Sequence, residues 1–127
     1  MIKTIQTNQA PQAIGPYSQA YQCGDFLFTS GQIPLTSDGD LVGGDIVGQA
    51  HQVFNNLQAV LKAGGADLVH VVKVTLFIKN LNDFPKINEI YAYYFGDHRP
   101  ARSCVEVSRL PKDVEIEIEA IAYLKSE

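Results

Sequence analysis

Arg102 and Cys104 stand two residues apart in the run Pro100-Ala-Arg-Ser-Cys-Val-Glu-Val107. Downstream, Glu115-Ile-Glu-Ile-Glu119 sets three carboxylates at the same spacing. Both runs read as strands, and a strand turns residues i and i+2 to one face. A guanidinium is a planar fork that holds a carboxylate by two parallel hydrogen bonds. A partly buried glutamate crowded by other carboxylates takes a raised pKa and passes protons near neutral pH. Together these groups suit a pocket for a small carboxylic acid with proton transfer beside it. A structural Arg–Glu network across a hairpin has the same spacing, so both readings stay open. Cys104 by itself reads as a small buried residue rather than a nucleophile, because no histidine is placed beside it.

The elements that carry these groups follow from hydrophobic period and turn chemistry. Strands at 102–108 and 114–124 flank the turn Leu110-Pro-Lys-Asp113. Paired as a hairpin with Val107 opposite Val114, they set Cys104 opposite Glu117 and Arg102 opposite Glu119, on one face. Upstream, residues 1–7 suit a short strand and Ala10–Tyr17 a loop. Residues 18–23 and 26–30 suit a hairpin around Gly24-Asp25. Gly31, after Ser30, suits a close backbone approach, and 36–44 is a turn-rich loop. A helix is expected over Asp45–Ala63, with Ile46, Ala50, Val53, Leu57, Val60 and Leu61 on one stripe and Gly64-Gly65 as its stop. Val69–Ile78 reads as a strand, with Val72, Val74, Leu76 and Ile78 on one face and Val71, Lys73, Thr75 and Phe77 on the other. A second helix, Asp83–Phe95, takes Pro85 in its first turn and buries Phe84, Ile87, Tyr91, Tyr94 and Phe95.

The order β-β-β-α-β-α-β-β predicts an α+β fold, a sheet with two helices covering one face. The other face, carrying Glu115, Glu117, Glu119, Ile121 and Tyr123, is half apolar and is expected to be an interface between subunits. One domain over 1–127 is expected from the length. A net charge of −4 lacks the basic field of a general nucleic-acid binder. No apolar run reaches membrane-span length, and the first residues lack the pattern of a signal peptide. Cys23 and Cys104 leave one bridge open, but free thiols in a reducing, cytoplasmic setting are the simpler reading. His51, His70 and His98 show no metal-ligand spacing, so no metal site is expected.

Several stretches carry a resemblance. They are Ile14-Gly-Pro-Tyr-Ser-Gln-Ala20, Thr29-Ser-Gly-Gln-Ile33, Asn80-Leu-Asn-Asp-Phe84, Asn88-Glu-Ile-Tyr91 and, above all, the block from Arg99 to Ala122. Over essentially its whole length the chain resembles the RidA/YjgF family of reactive-intermediate deaminases. The resemblance implies a chorismate-mutase-like fold and a barrel-like homotrimer with active sites between subunits. It implies hydrolysis of 2-imino acids and their enamine tautomers, such as 2-iminobutanoate and 2-iminopropanoate, to 2-oxo acids and ammonia, with no metal and no organic cofactor. Carried over position by position, Arg102 matches the arginine that clamps the substrate carboxylate. Glu117 matches the glutamate that handles water and proton at the imine. Cys104 matches a cysteine of the cleft wall, and Tyr17, Ser30, Gly31 and Asn88 match other cleft-lining positions. Only Gly96-Asp-His-Arg99 separates Phe95 from the Pro100-Ala-Arg motif, where some relatives carry a longer loop, so the cleft rim differs here. Two other functions remain in play: a non-catalytic 2-oxo-acid-binding, regulatory or chaperone-like module, and an RNA-cleaving translation inhibitor.

Overall fold

A computed structural model of the chain describes residues 2–125. Gly24 takes φ +60°, a left-handed conformation that lets β2 (Ala20–Cys23) turn straight back onto β3 (Phe26–Thr29), with Cys23 opposite Phe26. β1 (Ile2–Ile5) pairs with β2 on its far side. Helix α1 spans Ile46–Ala63. The Asp45 carboxylate caps its start by accepting from the Gly48 N–H at 3.2 Å, and Gly64 N–H closes its end on Leu61 O. Its expected stripe is buried from Ile46 to Leu61, with Phe54 added. Its Ile, Val, Leu and Phe side chains each contribute about 1.5–3 kcal/mol on leaving water. β4 (Val71–Ile78), α2 (Phe84–Phe95), β5 (Ala101–Glu106) and β6 (Ile116–Tyr123) follow.

The strands form one mixed sheet in the order β1-β2-β3-β6-β4-β5. β4 and β5 are parallel, and the other neighbouring pairs are antiparallel. The connections β3-α1-β4 and β4-α2-β5 both step the same way along the sheet, so a common handedness puts both helices on one face. The expected α+β class, with its two helices on one side, is therefore present.

The expected hairpin of the last two strands is not. β4 lies between β5 and β6. β6 buries Ile116, Ile118, Ala120 and Ala122 and so takes a central position, whereas β5 is exposed at most of its residues and takes the edge. The face assignment of β4 also needs correction at its start. A bulge between Val71 and Lys73 shifts the alternation, so Val71 is fully buried and Val72 is 44% exposed. Cys23 and Cys104 are free thiols.

The turn before β6 holds two consecutive left-handed residues that are not glycine, Lys112 (φ 57°, ψ 21°) and Asp113 (φ 57°). Arg109 closes the turn on the Asp113 carboxylate at 2.9 Å. A left-handed residue with a Cβ costs about 1–2 kcal/mol, part of which glycine recovers. Lys112→Gly is expected to stabilise the protein by up to about 1 kcal/mol, read as a raised melting temperature.

Candidate functional site: two grooves on opposite faces of one sheet

The open face of the sheet carries the first groove. Glu117 stands in mid-β6 opposite Phe77, which turns it away from the helices. It is half-buried, and that burial pushes its pKa up; Glu119, two residues along the same face, pushes it further. Residues 30–32 run beside β6, because Gln32 and Ile118 exchange backbone hydrogen bonds of 2.7 and 3.1 Å. Gly31 is thereby laid against the glutamate. A methyl group there would stand 2.7 Å from the Glu117 carboxyl carbon, so any side chain at this position would push the Glu117 carboxyl out of its present place. Ser30 is fixed by two bonds, its N–H to Gln19 O at 2.9 Å and its hydroxyl to Ser18 O at 2.5 Å. With Tyr17, Ile14, Ile33, Pro111 and Glu119, these residues line an open groove of about 510 Å³.

A second groove, of about 470 Å³, lies at the β5 edge and is lined by Asn88, Tyr91, Ala92, Arg99, Pro100 and Arg102. Arg102 pairs with Val74 and Cys104 with Leu76, both buried residues on the helix side of β4. The Arg102 Nη1 donates to Asn88 Oδ1 at 2.8 Å. Its Cζ stands 4.7 Å from the Tyr91 ring centre and 5.2 Å from that of Phe84. Cys104 is partly buried against the core. Burial pushes its thiol pKa up, against the opposing effect of Arg102, so it stays protonated at neutral pH and is a poor nucleophile. The short rim segment is tied down where His98 Nε2 meets Val71 O at 2.6 Å and Arg99 bonds the Gly96 carbonyl.

The singled-out residues thus fall into two groups. Tyr17, Ser30, Gly31 and Glu117 meet in one groove, and Asn88 and Arg102 meet in the other, with Cys104 further along the same strand face. The single patch expected for Arg102, Cys104 and Glu117 is absent from one chain. β4 separates their strands, and the register sends them to opposite faces. Glu119 shares the open face with Glu117 as the spacing predicts, whereas spacing alone points neither to Pro111 in the first groove nor to the roles of Phe84 and Tyr91 in the second. Phe84, Asn88 and Tyr91 at intervals of four and three were the available signal. Among the described residues, no cluster of three or more His, Cys, Asp and Glu side chains is placed to hold a metal ion. No helix there is long and apolar enough to cross a membrane.

Residues 7–124 match a family model described as Endoribonuclease L-PSP. A RutC family protein of Pyrococcus horikoshii is 57% identical over 124 residues, covering 97% of this chain and 98% of the relative. The protein named 2-iminobutanoate/2-iminopropanoate deaminase in Escherichia coli is 50% identical over 125 residues, covering 96% and 98%. The crystal structure of E. coli TdcF with bound serine superposes with a TM-score of 0.92 at 46% identity, over 98% of this chain and 99% of that one. A model match across nearly all of the sequence, with relatives at half or more identical positions, places this chain in the RidA/YjgF family, whose model bears the Endoribonuclease L-PSP description.

Proposed function

We propose that the chain hydrolyses reactive 2-imino acids, and their enamine tautomers, to 2-oxo acids and ammonia. The observation that carries this reading is the Arg102 guanidinium, held by Asn88 and two aromatic rings yet exposed in a groove. A fork fixed in advance binds a carboxylate with little ordering left to do. The name of the E. coli relative supports the imine substrates 2-iminobutanoate and 2-iminopropanoate, and the serine bound in TdcF supports an amino-acid-sized ligand.

In this reading Arg102 clamps the substrate carboxylate, with Asn88 and the chain around Cys104 beside it. Glu117, whose protonated form is favoured by burial and by the neighbouring Glu119, gives its proton to the imine nitrogen. The resulting carboxylate takes a proton from water as the water oxygen bonds to the imine carbon. That proton passes to the amine nitrogen; the Glu117 carboxylate then takes the hydroxyl proton as the C=O forms and the C–N bond breaks, so ammonia leaves the 2-oxo acid and Glu117 is protonated again. Tyr17, Ser30 and Gly31 shape the pocket around Glu117. The two half-sites come from neighbouring copies: Arg102 of one and Glu117 of the next complete each site in a homotrimer. The exposed Tyr21, Phe26 and Phe28 on the open sheet face are the apolar surface such an assembly covers. Two free thiols suit a reducing compartment, so the chemistry is assigned to the cytoplasm.

Co-expression of Arg102→Ala with Glu117→Gln tests both parts. Each variant alone is expected to be nearly inactive toward imine made by a coupled dehydratase. In randomly mixed rings about a quarter of the sites combine an intact Arg102 with an intact Glu117, so about a quarter of wild-type activity returns. A mixture as inactive as its components would overturn the shared site. Wild-type protein that leaves imine decay unaccelerated would overturn the activity and favour a binding module. The RNA-cleaving reading suggested by the family description fits less well with a net charge of −4.

A further inference from the structure

We propose that Phe84 and Tyr91 are positioning residues for Arg102, forming with Asn88 a cradle on α2 that aims the guanidinium at the substrate carboxylate. Its consequence for turnover rests on the deaminase reading, whereas the geometry does not. Phe84, Asn88 and Tyr91 stand at intervals of four and three and so form one stripe on α2. The parallel crossover brings β5, and with it Arg102, alongside that stripe. The cation lies 4.7 Å from one ring centre and 5.2 Å from the other, within the range of cation–π attraction. Asn88 holds one edge of the fork at 2.8 Å.

An arginine left loose in solvent loses rotamer freedom when it binds a ligand, and that loss weakens binding. Here two ring faces and one hydrogen bond set the plane and the edge before a ligand arrives. Asn88 is the only side-chain hydrogen-bond partner of this guanidinium among the described residues, so most of its donors remain available to a carboxylate.

The Tyr91 hydroxyl adds nothing to this hold. It is buried and has no hydrogen-bond partner. Burial pushes the Tyr91 pKa up, against the smaller opposing effects of Arg102 and Arg99, so the ring remains a neutral phenol. What Tyr91 supplies is its face. Phenylalanine keeps that face and removes an unpaired buried group, whereas leucine keeps apolar bulk and removes the face.

The test compares Tyr91→Leu with Tyr91→Phe in the full-length protein. Tyr91→Leu is expected to raise KM for the 2-imino acid, and Kd for 2-oxobutanoate by calorimetry, roughly five- to tenfold, with kcat within about twofold. Tyr91→Phe is expected to recover both constants. Phe84→Leu is expected to act in the same direction but less, since its ring lies farther from the cation. Ring-current shifts of the Arg102 side-chain protons by NMR are expected to persist in Tyr91→Phe and to collapse in Tyr91→Leu. Wild-type KM and Kd in Tyr91→Leu, or equal losses in both Tyr91 variants, would overturn the cradle. So would a fall in kcat that merely tracks a lower melting temperature. If wild type turns over no imine but binds 2-oxobutanoate, and Tyr91→Leu alone weakens that binding, the deaminase reading fails and the cradle stands. If wild type neither binds nor turns over, both fall.

Discussion

Arg102→Ala is expected to lower kcat/KM for 2-iminobutanoate roughly 10²- to 10³-fold. A hydrogen bond to a charged group is worth about 1.5–3 kcal/mol, and a bidentate clamp loses two of them, softened by water entering the space. The fold and the assembly are expected to survive. Arg102 is exposed on an edge strand, where its side chain makes one hydrogen bond and lies against two rings among the described residues. Size-exclusion chromatography and the far-ultraviolet circular dichroism spectrum should therefore match wild type while imine decay slows. Arg102→Lys keeps the charge but offers a point contact in place of the fork, so it should recover only part of the loss. Full activity in Arg102→Ala would sink the clamp.

Glu117→Gln is expected to reduce kcat roughly 10²- to 10⁴-fold, the usual span for removing a positioned general acid–base. It keeps the shape against Gly31 and removes the titrating proton. In wild type kcat is expected to fall as pH rises through the Glu117 pKa, because the first step needs the protonated carboxyl, and the raised pKa moves that basic limb to higher pH than an ordinary glutamate would give. The residual activity of the glutamine variant should lack that limb.

The same shift bears on stability. A folded-state pKa above the unfolded value means that the folded chain holds a proton the unfolded chain has already released. The stabilisation from that proton is fully present below the unfolded pKa of about 4.3 and is lost as pH rises through the raised folded value. Glu117→Gln should therefore melt above wild type at neutral pH and together with it in acid. Equal melting temperatures at every pH would show that Glu117 carries no such penalty.

Both helices and all six strands follow from spacing that can be read a few residues at a time. The α1 stripe from Ile46 to Leu61, its Asp45 cap, and the Gly24-Asp25 turn are local decisions made by side chains within one or two turns of each other. The Val71–Val72 exchange went unread because a bulge adds a residue without leaving a mark in the alternation. The roles of Phe84 and Tyr91 went unread for another reason. A helix stripe shows that residues share a face, but not that an arginine from a strand will lie across it.

The residue types at the site, a fork, a crowded glutamate and a glycine, were visible from the chain as written, because side-chain chemistry needs no partner to be recognised. Their distribution over two faces was not. It depends on which strand enters the middle of the sheet, and that is a competition among distant segments for burial. β6, with four fully or nearly buried residues facing the helices, takes the central place, and the crossover through α2 sends β5 to the edge. Arg102 and Glu117 are only fifteen residues apart in the sequence, and a hairpin would have joined them. β4 entering between their strands is what parts them, and it leaves each half-site open on its own face of the sheet.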